Sequence, residues 1–365
     1  MRPYRFIISG GGTGGHIFPA IAIADALKLR YPDAEFLFVG ARDRMEMEKV
    51  PRAGYPIKGL WISGLQRSLS IKNLMFPLKL ISSLWSSRRI VRQFRPDVAI
   101  GTGGYASAPL LKTAARMGVP CLIQEQNSHA GVTNKWLSKN VQKICVAYAG
   151  MDKYFPSDKM VFTGNPVRKD LVDVRITKEK GLEHFNWTDK KRTVLVLGGS
   201  LGAGAINALI ASKLDYFQEQ DVQLLWQCGK GYYPQYSALQ SDAVQVLAFI
   251  ERMDMAYAAA DIIISRAGAL SVSELCLIGK PVIFIPSPNV AEDHQTKNAM
   301  AMVEQGAAYM IREKDLDSGF APAIEKLLHD PDERTKLGSS MARLGRPSAT
   351  EDIVKEIEQL LPERS

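Results

Sequence analysis

The feature that most constrains this chain is a pattern that occurs twice. The apolar run Phe6-Ile7-Ile8 enters the loop Gly10-Gly11-Gly12-Thr13-Gly14-Gly15-His16, and an apolar-periodic segment, Ile17 to Leu29, follows. Thr193-Val194-Leu195-Val196-Leu197 then enters Gly198-Gly199-Ser200-Leu201-Gly202-Ala203-Gly204, with a helical pattern from Ala205 to Lys213. Each reads as strand, glycine loop, helix. Glycines let a backbone come close to a ligand, and a helix start presents unpaired N–H groups and the positive end of its dipole. A tight turn also uses glycine, but five in the six positions 10–15 exceed what a turn needs. The spacing Gly10-x-Gly12-x-x-Gly15 fits a dinucleotide fingerprint. Against that, the second strand, Phe36-Leu37-Phe38-Val39-Gly40, ends in Ala41-Arg42 and not in the acid a dinucleotide site uses.

Between the two starts, short apolar runs alternate with helical segments: Val98–Ile100, which ends in Gly101-Thr102-Gly103-Gly104-Tyr105; Pro120–Ile123, which ends in Gln124-Glu125-Gln126-Asn127; and Lys143–Ala147. After the second start come Gln223–Trp226, Val244–Leu247, Asp261–Ile264 and Pro281–Ile285. The pattern predicts an α/β chain of two Rossmann-like domains with parallel sheets, facing each other across a cleft, with ligands beyond the carboxyl ends of the strands. A length of 365 residues fits two domains. The Gly and Pro of Phe162-Thr163-Gly164-Asn165-Pro166 mark the join, giving domains 1–163 and 164–348. Residues 178–192 read as a polar loop, and a last helix, about 349–361, can pack on either domain.

Four widely spaced cysteines, Cys121, Cys145, Cys228 and Cys276, fit buried thiols better than a zinc or redox pair. Arg2 and Arg5 precede Phe6–Ile8, but the glycines cut that run short of a secretory signal, and no stretch is apolar for long enough to span a bilayer. The net charge of +8 admits anionic partners. Much of it has a local explanation in 73–95, where Leu74, Met75, Phe76, Leu78, Leu80, Ile81, Leu84 and Trp85 lead into Arg88, Arg89, Arg92 and Arg95. An apolar, Trp-bearing helix with a basic end suits an anionic membrane surface; it also suits a core-facing helix whose arginines complement its dipole. No nucleic-acid motif occurs.

Several residues read two ways. Ser265-Arg266-Ala267-Gly268-Ala269-Leu270 opens a helix suited to a diphosphate, and Glu274 either completes the capping box Ser271-x-x-Glu274 or binds two ribose hydroxyls. Ser200 is a phosphate donor or an N-cap. Arg168 is a phosphate clamp or a surface arginine. Asp293 reads as an N-cap, with His294 and Gln295 in the first turn and available to sugar hydroxyls. Asp315-Leu316-Asp317 and Asp330-Pro331-Asp332 read as solvated surface, not a metal site.

In this order, Gly11–His16 with Pro19-Ala20, Gly101–Tyr105, Gln124–Asn127, Gly164-Asn165-Pro166-Val167-Arg168, Gly198-Gly199-Ser200-x-Gly202-Ala203, Ser265–Ala269 with Glu274, and Asp293-x-Gln295-x-x-Asn298-Ala299 closely resemble the MurG family of peptidoglycan N-acetylglucosaminyltransferases over nearly the whole chain. The resemblance implies a GT-B fold and inverting, metal-independent transfer of GlcNAc from UDP-GlcNAc to lipid I, undecaprenyl-diphospho-MurNAc-pentapeptide. The product is lipid II, made peripherally on the cytoplasmic face of the membrane with no cofactor. It also implies that the last helix, 349–365, returns to the first domain. Donor contacts fall on Thr13, Gly14, Gly15, Asn127, Arg168, Ser200, Ile250, Gly268, Ala269, Leu270, Glu274 and Gln295. Acceptor contacts fall on His16, Gly103, Gly104 and Tyr105. His129 and His294 depart from the family pattern and receive no role. His16 is the first candidate for the general base, since the range of an imidazole suits neutral pH, and Glu125 is the second. A diacylglycerol glycosyltransferase or a UDP-GlcNAc 2-epimerase would share the donor half.

Overall fold

The computed structural model describes residues 2–64, 75–167, 176–187, 191–199 and 201–363. The chain divides into two compact units, Met1–Val167 with Arg346–Ser365, and Arg168–Gly345. The helices that matter below are α1 (Gly14–Arg30), α2 (Glu46–Arg52), α3 (Phe76–Phe94), α4 (Lys178–His184), α5 (Gly204–Ser212), α6 (Met253–Ala259), α7 (Ala269–Ile278), α8 (His294–Glu304) and α9 (Ala349–Glu358).

The first unit is built on β1 (Arg5–Gly10), β2 (Glu35–Ala41), β3 (Ile57–Leu60), β4 (Val98–Gly103), β5 (Cys121–Glu125), β6 (Lys143–Val146) and β7 (Met160–Phe162), in the spatial order β3-β2-β1-β4-β5-β6-β7. Neighbouring strands are parallel. The central strands are apolar throughout because helices cover both faces. The chain walks outward from β1 to β3 and then returns to the other side of β1 as β4, so the loops after β1 and β4 meet at a topological switch point. The β1–β4 register slips between Ser9 and Gly10, so that Gly10 pairs with Gly103, and the extra residue, Thr102, turns its hydroxyl to donate to His16 O at 2.7 Å. β3 and β7, too short to stand out in the sequence, extend the sheet at its two edges.

α9 completes this unit. Its Ile353, Val354 and Ile357 join Phe6, Ile8, Ala24 and Leu27 in one core. Glu358 accepts from Arg30 Nε at 3.0 Å and Tyr31 Oη at 2.8 Å. Residues up to Val167 stay with the first unit because Asn165, almost fully buried, donates to Gln126 O at 3.0 Å and accepts from Gln124 Nε2 at 2.8 Å.

α3 has two faces. Ser83, Ser87, Ile90 and Val91 are buried. Leu78, Ile81 and Trp85 are 58%, 66% and 70% exposed, in line along the helix with exposed Arg88, Arg89 and Arg92. A core-facing helix does not account for that outer stripe. Residues 73 and 74 of the expected element lie outside the described residues. Among the described residues no helix is long and apolar enough to cross a membrane.

The second unit repeats the plan with β8 (Arg192–Leu197), β9 (Val222–Gln227), β10 (Val244–Leu247), β11 (Ile262–Ser265), β12 (Val282–Phe284) and β13 (Tyr309–Met310), ordered β10-β9-β8-β11-β12-β13 and parallel throughout. Its switch point lies between β8 and β11, which brings the loop ahead of α5 beside the start of α7. The expected loop at 178–192 begins instead as a helix, α4. Thr177 caps it, and it packs Leu182 inward beside α6.

Candidate active site

At the first switch point the glycine loop is organised by a residue the sequence reading did not single out. Glu46, at the start of α2, is fully buried. Its Oε2 accepts from Gly12 N and its Oε1 from Ala41 N, both at 2.9 Å. A side chain at Gly11 would place its Cβ 2.3 Å from Glu46 Oε1, which is why the loop is bare there. The acid looked for at the end of β2 therefore exists five residues later and turns inward. The Gly12 amide serves this carboxylate and not a ligand, which narrows the expected cradle to the start of α1. There Thr13 occupies the N-cap position without a side-chain cap bond, the first turn holds no acidic residue, and Gly14 and Gly15 open the helix.

His16 projects from this first turn. Its Nδ1 lies 2.9 Å from Gly11 O and 3.3 Å from Thr13 Oγ1. A carbonyl oxygen only accepts, so Nδ1 carries the proton and Nε2 is the basic nitrogen of the neutral ring. The Nε2–Cδ2 edge faces Gly103 so closely that a Cβ there would lie 2.8 Å from Cδ2 and 2.9 Å from Nε2, and Gly103 has φ +105°. Gly104, at φ +93°, stands against the Gly11 backbone. Tyr105 is about half exposed, with its ring over Gly12 and Gly64. The structure thus brings Thr13–His16 and Gly103–Tyr105 together.

Glu125 takes a different part from the one expected. It is 2% exposed, and its carboxylate is surrounded by donors: Asn127 N at 3.1 Å and Asn127 Nδ2 at 3.3 Å on Oε1, Gly131 N at 3.0 Å and Asn134 Nδ2 at 2.9 Å on Oε2. Those bonds occupy the lone pairs that a general base would use. Glu125 holds the 126–134 loop in shape and sets the position of Asn127. Beside it, Gln126 Nε2 donates to Thr102 O at 2.8 Å, tying this loop to the end of β4. His129 accepts or donates at 2.6 Å with Tyr154 Oη, a local contact.

In the second unit, α7 begins at Ala269 with Gly268 as its N-cap residue, no side-chain cap and no acid in its first turn. Ser271 therefore lies inside the helix, and the capping-box reading of Ser271 and Glu274 is set aside. Glu274 is partly buried, and Tyr257 Oη donates to its Oε2 at 3.3 Å. Gly268, Ala269 and Leu270 form the helix start one turn ahead of it. Arg266 is committed elsewhere: its guanidinium donates to Ile285 O at 2.9 Å and pairs with Glu313. Ile250 is buried, and its N–H donates to Gln227 Oε1 at 2.8 Å, so only its carbonyl remains to meet a base. Gln295, in the first turn of α8, accepts from Ser287 N at 2.9 Å through Oε1, which leaves its NH₂ group as the donor on offer. Asp293 precedes α8 in a left-handed conformation, φ 51°, and accepts from Thr296 Oγ1 at 2.7 Å without capping the helix. Asn298 is buried and donates to Ala267 O at 3.3 Å. Arg168 and Ser200 lie outside the described residues. Among the described residues no three His, Cys, Asp or Glu side chains converge. Asp330 of the second D-x-D caps its own helix by accepting from Glu333 N at 2.9 Å.

Two parallel α/β units, each with a glycine loop at its switch point and the second with a bare helix start ahead of a glutamate, have the architecture of GT-B glycosyltransferases. Residues 6–146 match the N-terminal domain of glycosyltransferase family 28, and residues 193–356 match its C-terminal domain. The chain is 58% identical to the UDP-N-acetylglucosamine–N-acetylmuramyl-(pentapeptide) pyrophosphoryl-undecaprenol N-acetylglucosamine transferase of Christiangramia forsetii, with 98% of each chain covered. It is 56% identical to the transferase of the same name from Flavobacterium psychrophilum, over 99% of each. The crystal structure of Acinetobacter baumannii MurG superposes with a TM-score of 0.79 at 30% identity, covering 98% of this chain and 100% of that one. The chain belongs to glycosyltransferase family 28, within the MurG family of N-acetylglucosaminyltransferases.

Proposed function

We propose that the protein transfers GlcNAc from UDP-GlcNAc to the muramoyl 4-hydroxyl of lipid I, with inversion at the anomeric carbon. The observation that carries the donor half is the start of α7: a helix with no cap and no acid in its first turn, one turn ahead of Glu274. Such a start suits a diphosphate, and a glutamate at that distance suits the ribose hydroxyls of the same nucleotide. The Ile250 carbonyl then meets the uracil, and the Gln295 amide meets the sugar. In the first unit, the amides of Thr13–Gly15 suit anionic oxygen, and Gly103–Tyr105 line the approach to His16. Asn127, fixed by Glu125, is kept as a sugar contact.

The 4-hydroxyl oxygen forms a bond to the anomeric carbon as the bond from that carbon to the diphosphate breaks. The hydroxyl proton passes to His16 Nε2, and UDP leaves with the electron pair, its charge met by the start of α7. A positioned base contributes roughly 10²–10⁴-fold. High identity along the whole chain to transferases of this name favours this reading over a diacylglycerol glycosyltransferase or an epimerase. We also place the protein peripherally at the cytoplasmic face of the membrane, with the Leu78–Ile81–Trp85 stripe in the interface and the arginines beyond it on anionic headgroups.

The test is transfer of labelled GlcNAc from UDP-GlcNAc to a short-chain lipid I analogue in the presence of EDTA, with UDP-glucose as the control donor. GlcNAc-selective transfer that survives EDTA is the expected result. Equal use of UDP-glucose, or no transfer despite nucleotide binding, overturns the assignment.

A further inference from the structure

We infer that Glu46 is a positioning residue for His16 and acts through a single peptide group. The two hydrogen bonds involved belong to the same amide plane. The N–H of the Gly11–Gly12 peptide donates to Glu46 Oε2 at 2.9 Å, and its carbonyl, Gly11 O, lies 2.9 Å from His16 Nδ1. The amide is a resonance unit, so drawing its N–H toward an anion raises electron density on its oxygen. The Glu46 carboxylate is fully buried and accepts from a second backbone donor, Ala41 N at 2.9 Å, so it is held in place from both oxygens. Hydrogen bonds to an ionised acceptor are the stronger kind. Glu46, the peptide and the imidazole thus form a line of three groups, in which the carboxylate orients and polarises the base without touching it.

Two effects follow. The Nδ1–H tautomer is favoured, which keeps the lone pair on Nε2, the ring edge that faces Gly103. When the ring accepts a proton, the polarised carbonyl stabilises the imidazolium. This is the job that a third group performs for a catalytic histidine elsewhere, done here through a backbone amide. The weaker Thr13 Oγ1 contact at 3.3 Å can accept from the same Nδ1–H but cannot polarise the carbonyl.

The inference rests on reading His16 as the base, and the test separates the two. With ¹⁵N-histidine labelling, the imidazole nitrogen shifts of His16 are read in wild type, Glu46→Gln and Glu46→Asp, alongside transfer kinetics with UDP-GlcNAc and the short-chain lipid I analogue. In wild type the Nδ1–H tautomer is expected. In Glu46→Gln we expect a mixed tautomer population and a kcat lower by about 10- to 100-fold, less than the full contribution of a positioned base, with the KM for UDP-GlcNAc little changed. Glu46→Asp, which keeps the charge, recovers part of both. A Glu46→Gln spectrum with the wild-type tautomer overturns the inference, as does an unchanged kcat with a shifted KM. If neither variant folds, the wild-type spectrum decides: Nδ1–H together with a Gly12 amide proton shifted downfield by its bond to the carboxylate upholds the inference, and Nε2–H as the dominant tautomer, or a Gly12 amide without that shift, overturns it. Full activity in His16→Ala would end the base reading, while the spectra would still report whether Glu46 sets the tautomer.

Discussion

Lys280 lies just ahead of β12, in the second unit and away from both switch points. Burial lowers its pKa from 10.5 to about 8, with Asp261 opposing and Lys178 reinforcing the shift, and its ammonium donates to the carbonyls of Ala258 and Ala260. The folded value lies below the unfolded one. The cost of burying the charge is therefore fully present below pH 8 and is relieved between pH 8 and 10.5, where the unfolded chain binds more protons. Across that window Lys280→Met should lose a rise in stability of roughly 3 kcal/mol relative to wild type, measured by denaturant unfolding at several pH values. The comparison between the two proteins matters because Cys121 and Cys276, pushed up to about 12 by burial, act in the opposite direction in both. Residue types, more than residue roles, were legible in the sequence at this scale. Glu125 looked like a base because it ends a strand at a ligand-binding edge. Its four donors come from residues two to nine positions further on, in a loop whose shape no periodicity announces. Glu46 went unread for the converse reason: it sits on a helix of about two turns past the strand, and only the fold carries it back under Gly12.

The outer stripe of α3 was legible as an element because helical spacing groups Leu78, Ile81 and Trp85 and then the arginines. What the spacing left open was which side faces the core, and the buried Ser83 and Ser87 decide that. Small hydroxyl residues let the helix lie close to the neighbouring helix Ser107–Arg116, and the bulky residues face out. Replacing Ile81 and Trp85 together by glutamate should cut co-sedimentation with vesicles containing anionic lipid about tenfold or more, while transfer to a water-soluble acceptor analogue stays at the wild-type rate. Binding by the unmodified protein should also weaken as salt rises, since the arginines act through screened charge. Vesicle binding that is indifferent to both changes would remove α3 from the interface. At the helix starts the sequence was a weaker guide. Ser271-x-x-Glu274 has the spacing of a capping box, yet α7 begins two residues earlier because Gly268 is the residue that leaves the helical conformation. α4 was missed because its seven residues are mostly charged and present almost no apolar periodicity.

The repeated plan of the whole molecule was visible because strand, glycine loop and helix recur intact. The return of the chain to its first unit was not visible from pattern, since an amphipathic helix does not say which core it will cover. α9 settles on α1 and buries Ile353, Val354 and Ile357 among residues of the first sheet. At about 1.5–3 kcal/mol for each side chain, that contribution is comparable to the net stability of a domain. Removing 346–365 should therefore abolish the thermal transition of the first unit in calorimetry, while the second unit retains its own transition and still binds UDP. A truncated chain that melts like the full one would refute this. The same arrangement fixes an order of events during synthesis. The second unit is a single uninterrupted stretch and can close as soon as it emerges. The unit made first must wait for α9, roughly 190 residues later, which at translation speeds is a delay of about 10–40 s. During that time its parallel sheet has Phe6 and Ile8 without their final cover. The segment the ribosome delivers first is thus the last to become native, and nascent-chain chaperones would find their client there.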